Sequence, residues 1–147
     1  MVPAGLAPGP DGGLYVGFET VAPYPEGAAK VGLVAADGTM TDVWTNLTAV
    51  TAVTVDSDGT LYAAEMSTGN LEEAPFLRNN AGRIVRQSGP DSLEVVADGL
   101  DLPVALDIGP DWMLYVSLPA FGANDGEGSL IRLDASASLP IQATPVS

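Results

Sequence analysis

Residues 102–116, LPVALDIGPDWMLYV, constrain this chain more than any other stretch. An apolar run at 104–108 meets a tight turn, Gly109-Pro110-Asp111, and a second apolar run follows at 113–116. Two such runs bounded by turn residues predict a β-hairpin. The same phrase occurs twice more, as VPAGLAPGPDGGLYV at 2–16 and AVTAVTVDSDGTLYA at 49–63. Alignment puts Asp11, Asp58 and Asp111 in register, followed by Leu14, Leu61 and Leu114, then Tyr15, Tyr62 and Tyr115. The tyrosines lie 47 and 53 residues apart, a period of propeller blades rather than helical repeats.

A second hairpin follows each first one. Residues 30–34, 83–87 and 129–133 align as third strands, each ending in a turn: Ala36-Asp37-Gly38-Thr39, Gly89-Pro90-Asp91-Ser92 and Asp134-Ala135-Ser136-Ala137. Fourth strands are expected at 40–44, 93–97 and 139–143; Pro140 in the last suits an outer edge. Four short strands in meander order make one propeller blade. The expectation is an all-β chain, a β-propeller with three four-stranded blades, in one domain spanning 1–147 with blades at about 1–44, 45–97 and 98–147. A β-sandwich with similar strands is the alternative, and three-fold recurrence of the hairpin argues against it. Leu6, Leu14, Val16, Val53, Val55, Leu61, Leu106, Ile108, Leu114 and Val116 are the expected blade-to-blade packing residues. Asp58 and Asp111 are read as turn-holding side chains, because aspartate bonds its own backbone in turns. The tyrosines are read as packing residues with a polar tip.

The formal net charge of −14, with five basic residues, argues against nucleic acid and anionic membrane surfaces as partners. Acidity serves solubility on the plain reading and cation binding on the sharper one; no acidic ligand spacing favours the second. The chain has no cysteine, which excludes disulfides and thiolate zinc, and no histidine, which removes the commonest general base. No stretch is long enough to span a bilayer, and the first residues lack the pattern of a signal peptide. A soluble chain of undetermined compartment is expected. Asn46-Leu47-Thr48 fits a glycosylation triplet, a pattern common by chance.

Loops joining second and third strands, and links between blades, fall on one face of a propeller disc. That face gathers 19–28 with Tyr24, 66–82 with Asn70, Glu72, Glu73, Arg78, Asn79 and Asn80, and 119–128 with Asn124, Asp125 and Glu127. Long loops on repeat scaffolds often carry function, and a tolerated insertion is the equal alternative. Tyr24, Asn70, Glu72, Arg78, Asn80, Asn124 and Asp125 are the candidate ligand-face residues. Glu19, Glu65, Asn46 and Asp101 share that face.

The phrases GPDGGLYVGFE, YPEGAAKVGLV, DGTLYAAEM and LPVALDIGPDWMLYV resemble propellers encoded with scytonemin biosynthesis, the ScyD/ScyE type. More broadly the chain is similar to NHL and SMP-30/gluconolactonase-like six-bladed propellers, over nearly its whole length. The resemblance implies a longer relative with about six blades, where this chain carries three. SMP-30-like enzymes hold a central divalent metal through Glu, Asn and Asp, and Glu65 ends a second strand where such a carboxylate belongs. Phe18 and Leu118 occupy the matching positions of the other blades, so the constellation is not carried over. NHL-type lyases lean on histidine, absent here.

Closed propellers have about four to eight blades, so three form an open half-ring with two apolar faces exposed. Pro3 and Leu6 align with Pro103 and Leu106, so the chain starts where a blade starts. A two-fold homodimer completing a six-bladed ring is therefore expected. The preferred functional reading is a non-catalytic scaffold or binding module for a small molecule or protein, without cofactor. The alternative is a calcium-dependent, lactonase-like hydrolase using Glu19, Glu65, Asn46 and Asp101 at the central channel. Calcium needs about six to eight oxygens, which two-fold duplication of those groups would help supply. A fragment with no selected activity is a third reading.

Overall fold

The computed structural model describes residues 1–122, 126–136 and 144–145. Every regular element in them is a strand, and the strands form three four-stranded antiparallel sheets. The first holds β1 (Val2–Pro8), β2 (Leu14–Glu19), β3 (Ala29–Val34) and β4 (Met40–Leu47). The second holds β5 (Val50–Val55), β6 (Leu61–Glu65), β7 (Gly82–Gly89) and β8 (Ser92–Leu100). The third holds β9 (Ala105–Ile108), β10 (Leu114–Leu118), β11 (Ser129–Leu133) and β12 (Thr144–Pro145). Each sheet is a meander in chain order, the expected blade. Strands β4 and β8 run three residues past their expected ends, because their last turns pair with the starts of β3 and β7 at Leu47–Ala29 and Leu100–Gly82. The expected strand at 139–143 lies outside the described residues.

One turn design closes the first hairpin of every blade. Gly9, Asp56 and Gly109 each donate their N–H to the carbonyl four residues on, and Gly12, Gly59 and Trp112 donate back across the turn. The back-donating residue has φ of 82° at Gly12, 84° at Gly59 and 62° at Trp112. This is a type I turn with a left-handed fourth residue, which suits the twist of the strands. Asp111 holds its turn as expected, accepting from the Met113 N–H at 3.2 Å and the Tyr115 hydroxyl at 3.0 Å. Asp58 does not. In that blade Asp56 Oδ1 accepts from the N–H groups of Asp58 and Thr60, both at 2.9 Å, because the aspartate that opens the turn reaches both donors first.

Alternation along the strands gives each blade an upstream and a downstream face. The seam between blades one and two joins Ala7, Val31 and Trp44 to Val53, Leu61 and Val85. The seam between blades two and three joins Tyr62, Ala64 and Ile84 to Leu106, Leu114 and Leu133. Burial of each large side chain contributes on the order of 1.5–3 kcal/mol. The inner strands approach closely: a Cβ on Gly5 would lie 2.8 Å from the Ala52 backbone, so the residue there must be glycine. Trp44 is fully buried, and its indole N–H donates to the Ser92 carbonyl at 3.1 Å, which ties β4 to the neighbouring blade.

Leu6 departs from its expected packing role and is 65% exposed. It sits on the upstream face of blade one, turned away from the apolar seam with blade two. Leu14, on the same face, is only partly buried.

Candidate functional site

The inter-strand loops and inter-blade links share one end of the sheets, and their polar side chains are stitched to one another. Glu26, in the loop after β2, accepts from the Gly69 N–H at 2.5 Å and from the Thr48 hydroxyl at 3.1 Å. Thr48, in the link between blades, takes the Gly27 N–H at 3.0 Å on its hydroxyl and donates its own N–H to Glu65 Oε1 at 2.6 Å. Glu65 Oε2 pairs with the Arg83 guanidinium. Five segments of two blades meet through this chain of bonds.

Glu65 is fully buried. Burial pushes its carboxyl above the usual range, against the opposing pull of Arg83 and the Thr48 N–H. Its cross-strand partner is Arg83, where Phe18 pairs with Lys30 and Leu118 with Ser129. Blade two thus carries an ion pair at a register position that is apolar on β2 and β10.

The four residues suggested as metal ligands do not come together within the chain. Glu65 spends both oxygens on Thr48 and Arg83. Asn46, at φ 64°, donates its amide to the Asp91 carbonyl at 3.4 Å in the blade seam. Asp101 Oδ1 accepts from the Asn80 N–H at 3.4 Å, beside blade three. Glu19 is partly buried, its Oε1 is buried without a hydrogen-bond partner, and burial raises its pKa. Among the described residues, no group of three or more carboxylates could hold a metal ion. Within the chain the set does not form a calcium site, because Glu65 has both oxygens engaged and the other three do not gather around it.

The ligand-face candidates divide. Asn70 donates its amide to the carbonyls of Tyr24 at 3.1 Å and Ser67 at 3.2 Å, leaving a buried Oδ1 without a partner. Tyr24 packs on the apolar cluster of Met66, Leu77 and Leu102 under the loops. The Arg78 N–H donates to the Ser67 hydroxyl at 2.9 Å. Glu72, Arg78 and Asn80 are exposed. Asn124 and Asp125 lie outside the described residues.

Sequence reasoning missed Glu26, the hub of the network, although YPEGAAKV contains it. It also missed a repeat inside the loops: Ala22-Pro23-Tyr24 and Ala74-Pro75-Phe76 both have a cis X-Pro bond followed by an aromatic residue at positive φ. In each, the aromatic N–H bonds the carbonyl three residues back at 3.0 Å. The signal is short and spaced unlike the strands, so hairpin alignment passes over it.

Two hollows adjoin this end and the axis. A half-open cleft of about 370 Å³ at the seam of blades two and three is lined by Asn79, Asp101, Leu118, Phe121, Glu127 and Ser129. A groove of about 250 Å³ runs along the first strands β1, β5 and β9, between Leu6, Pro8, Val55, Leu106 and Asp107. No helix of the described residues is long and apolar enough to cross a membrane.

No family model matches the chain, and no curated relative is found. Solved structures do resemble it. The PQQ-bound aldose sugar dehydrogenase of Streptomyces coelicolor aligns with a TM-score of 0.62 at 21% identity, over 88% of this chain and 43% of that one. A putative oxidoreductase (glucose dehydrogenase) of Thermus thermophilus gives 0.61 at 22% identity, over 91% and 44%. The calcium-binding protein regucalcin of Agrobacterium tumefaciens gives 0.58 at 18% identity, over 88% and 40%. The chain spans about two-fifths of the length of these structures. At such identities the likeness concerns the fold alone: this is a β-propeller fold, with three blades in the chain.

Proposed function

We propose that this chain is a non-catalytic propeller half that closes with a second copy into a six-bladed ring and presents its long-loop face to a small molecule or protein. One observation carries the reading: Leu6 is 65% exposed, while Leu106, at the same register position two blades on, is 7% exposed. An apolar sheet face of this kind is an association surface. A two-fold axis along the channel pairs blade three of each copy with blade one of the other. The absence of histidine and cysteine, together with loop carboxylates committed to backbone and arginine, supports a binding role over a catalytic one. Light scattering at micromolar concentration should give twice the chain mass of 15.0 kDa; a stable monomer would remove the reading.

The buried, unpartnered Oε1 of Glu19 favours a second reading, a calcium-dependent hydrolase of the lactonase type with Glu19, Glu65, Asn46 and Asp101 around the channel of the closed ring. Thermal melting with millimolar calcium separates the two. A calcium-dependent rise in Tm supports the hydrolase, and an unchanged Tm counts against it.

A further inference from the structure

The chain contains one seam that serves as a template for the missing one. In the seam of blades two and three, the downstream face presents Thr54, Tyr62, Ala64, Ile84 and Arg86. In the same register blade three presents Asp107, Tyr115, Ser117, Leu130 and Arg132 on its own downstream face, turned away from blade two. Leu130 is 42% exposed there, while Ile84 is fully buried. The upstream half of the template is Leu106, Leu114, Val116 and Leu133, and blade one repeats it as Leu6, Leu14, Val16 and Val34. Both halves of a seam that is already built therefore recur at the two ends of the half-ring, where Leu6 and Leu130 are open while Val16 is buried.

The template includes polar bonds across the seam: Thr51 donates to the Pro103 carbonyl at 2.9 Å and Thr54 to Asp107 at 3.4 Å on the inner side, and a third lies farther out. Arg86, on β7, donates Nη1 to the Ala135 carbonyl in the turn after β11, at 3.2 Å. Arg132 occupies the Arg86 position: each is cross-strand to its blade's tyrosine, Tyr62 or Tyr115. Its side chain is 47% exposed and is steadied by Asp111 at 3.4 Å. Ala135 lies two residues past Leu133, and Ala36 lies two residues past Val34 in the matching turn of blade one. The next residue, exposed, is Ser136 in blade three's turn and Asp37 in blade one's.

Building on the ring reading, we propose that the seam between two copies is latched by Arg132 of one copy, which donates to the Ala36 carbonyl and the Asp37 carboxylate of the other. The copied geometry supplies the carbonyl, and Asp37 adds a charge that Ser136 lacks. Charge-assisted, bidentate arginine bonds are the stronger kind. On a chain of net charge −14, a like-charged approach of two copies needs such a cation at the contact.

The test is the dimer dissociation constant of the full chain, by sedimentation or dilution light scattering. A closed ring has two such seams, so Arg132→Ala should weaken the dimer about a hundredfold, roughly tenfold per seam for a lost hydrogen bond to a charged group. Arg132→Leu, which copies the Leu33 of blade one, should do the same while keeping the apolar stem. Asp37→Asn should weaken the dimer about tenfold and flatten its salt dependence. Arg132 and Asp37 lie on blades one and three with blade two between them, so coupling in a double-mutant cycle reports contact between copies. A wild-type monomer would overturn the ring and the latch together. A wild-type dimer that both Arg132 variants leave within twofold would overturn the latch and leave the ring. Additive effects of Arg132→Ala and Asp37→Asn would remove Asp37 from the contact, and a head-to-tail assembly larger than two would remove the closed pair.

Discussion

Blade two buries both of its faces, and the blades on either side bury one each. The difference shows in single strands. In β6, from Leu61 to Glu65, every residue is buried. In β11, Ile131 and Leu133 are buried against blade two while the alternating Leu130 and Arg132 are exposed. In β1 the buried residue is Ala7, facing blade two, and its neighbour Leu6 is open. Leu6 and Leu106 are the same side chain at the same register position, one open and one buried, so what separates them is which sheets lie beside them and not their chemistry. A propeller blade is designed for two neighbours, and an apolar face without one is stable only when something covers it.

The largest effect should come from matched substitutions on the two sides of that contrast. Leu106→Ala opens a cavity in a formed seam and should cost about 2–5 kcal/mol of chain stability in urea denaturation. Leu6→Ala, at the same register, should cost the dissociated chain less than about 0.5 kcal/mol, as exposed sites do. Equal costs would show that blade one's upstream face is already covered within the chain, and would break the comparison.

Glu65 sharpens it next. Blade two alone has an ion pair where β2 has Phe18 and β10 has Leu118. Removing one partner of a buried pair leaves the other uncompensated, so Glu65→Ala should cost about 3 kcal/mol or slightly more. The Thr48 N–H also loses its acceptor, which loosens the link into blade two. Arg83 keeps some water, its side chain being 25% exposed, which holds the cost to the lower end of the usual range.

The same carboxyl gives a pH effect of known sign. Its pKa is raised in the folded chain, by burial first. A raised carboxyl pKa means that the folded state binds the proton more tightly than the unfolded state. The stabilisation from that proton is present below the unfolded pKa and is lost as pH rises through the folded one. Wild type should therefore gain on Glu65→Gln as pH falls from neutrality toward the carboxylate range, read from the difference of their urea midpoints. A difference that is flat, or that moves the other way, would show that Arg83 outweighs burial. The other acidic groups are common to both proteins and cancel.

The strand pattern could be read in the sequence because the hairpin phrase carries its own ruler: aspartate, leucine and tyrosine recur at fixed offsets, and alternation assigns their faces. The loop face was less legible. Glu65 was recognisable as the polar end of a second strand, but its partners Thr48 and Arg83 lie 17 and 18 residues away, Glu26 is joined to it only through Thr48, and nothing local announces them. Asn46 and Asp101 were grouped with it by loop position alone, and their hydrogen bonds lead to different seams. Asp58 was assigned by alignment, whereas the turn is held by whichever aspartate reaches two N–H groups, and that is Asp56. A one-dimensional repeat transmits strand register well and side-chain partnership poorly.

The smallest effect lies at the hairpin tips, where blade three again departs from the other two. Gly12 and Gly59 take the left-handed turn position without strain, and Trp112 takes it at φ 62°. A non-glycine residue there costs about 1–2 kcal/mol, and glycine regains part of that at the expense of about 0.5–1 kcal/mol of chain entropy in the unfolded state. Trp112 is 69% exposed, so its removal gives up little burial in the isolated chain. Trp112→Gly should therefore stabilise the chain by about 0.5 kcal/mol and raise its Tm by a degree or two. If the substitution lowers Tm instead, the indole is supporting a contact that its exposure conceals. A loss that appears only at high protein concentration would place that contact in a second copy.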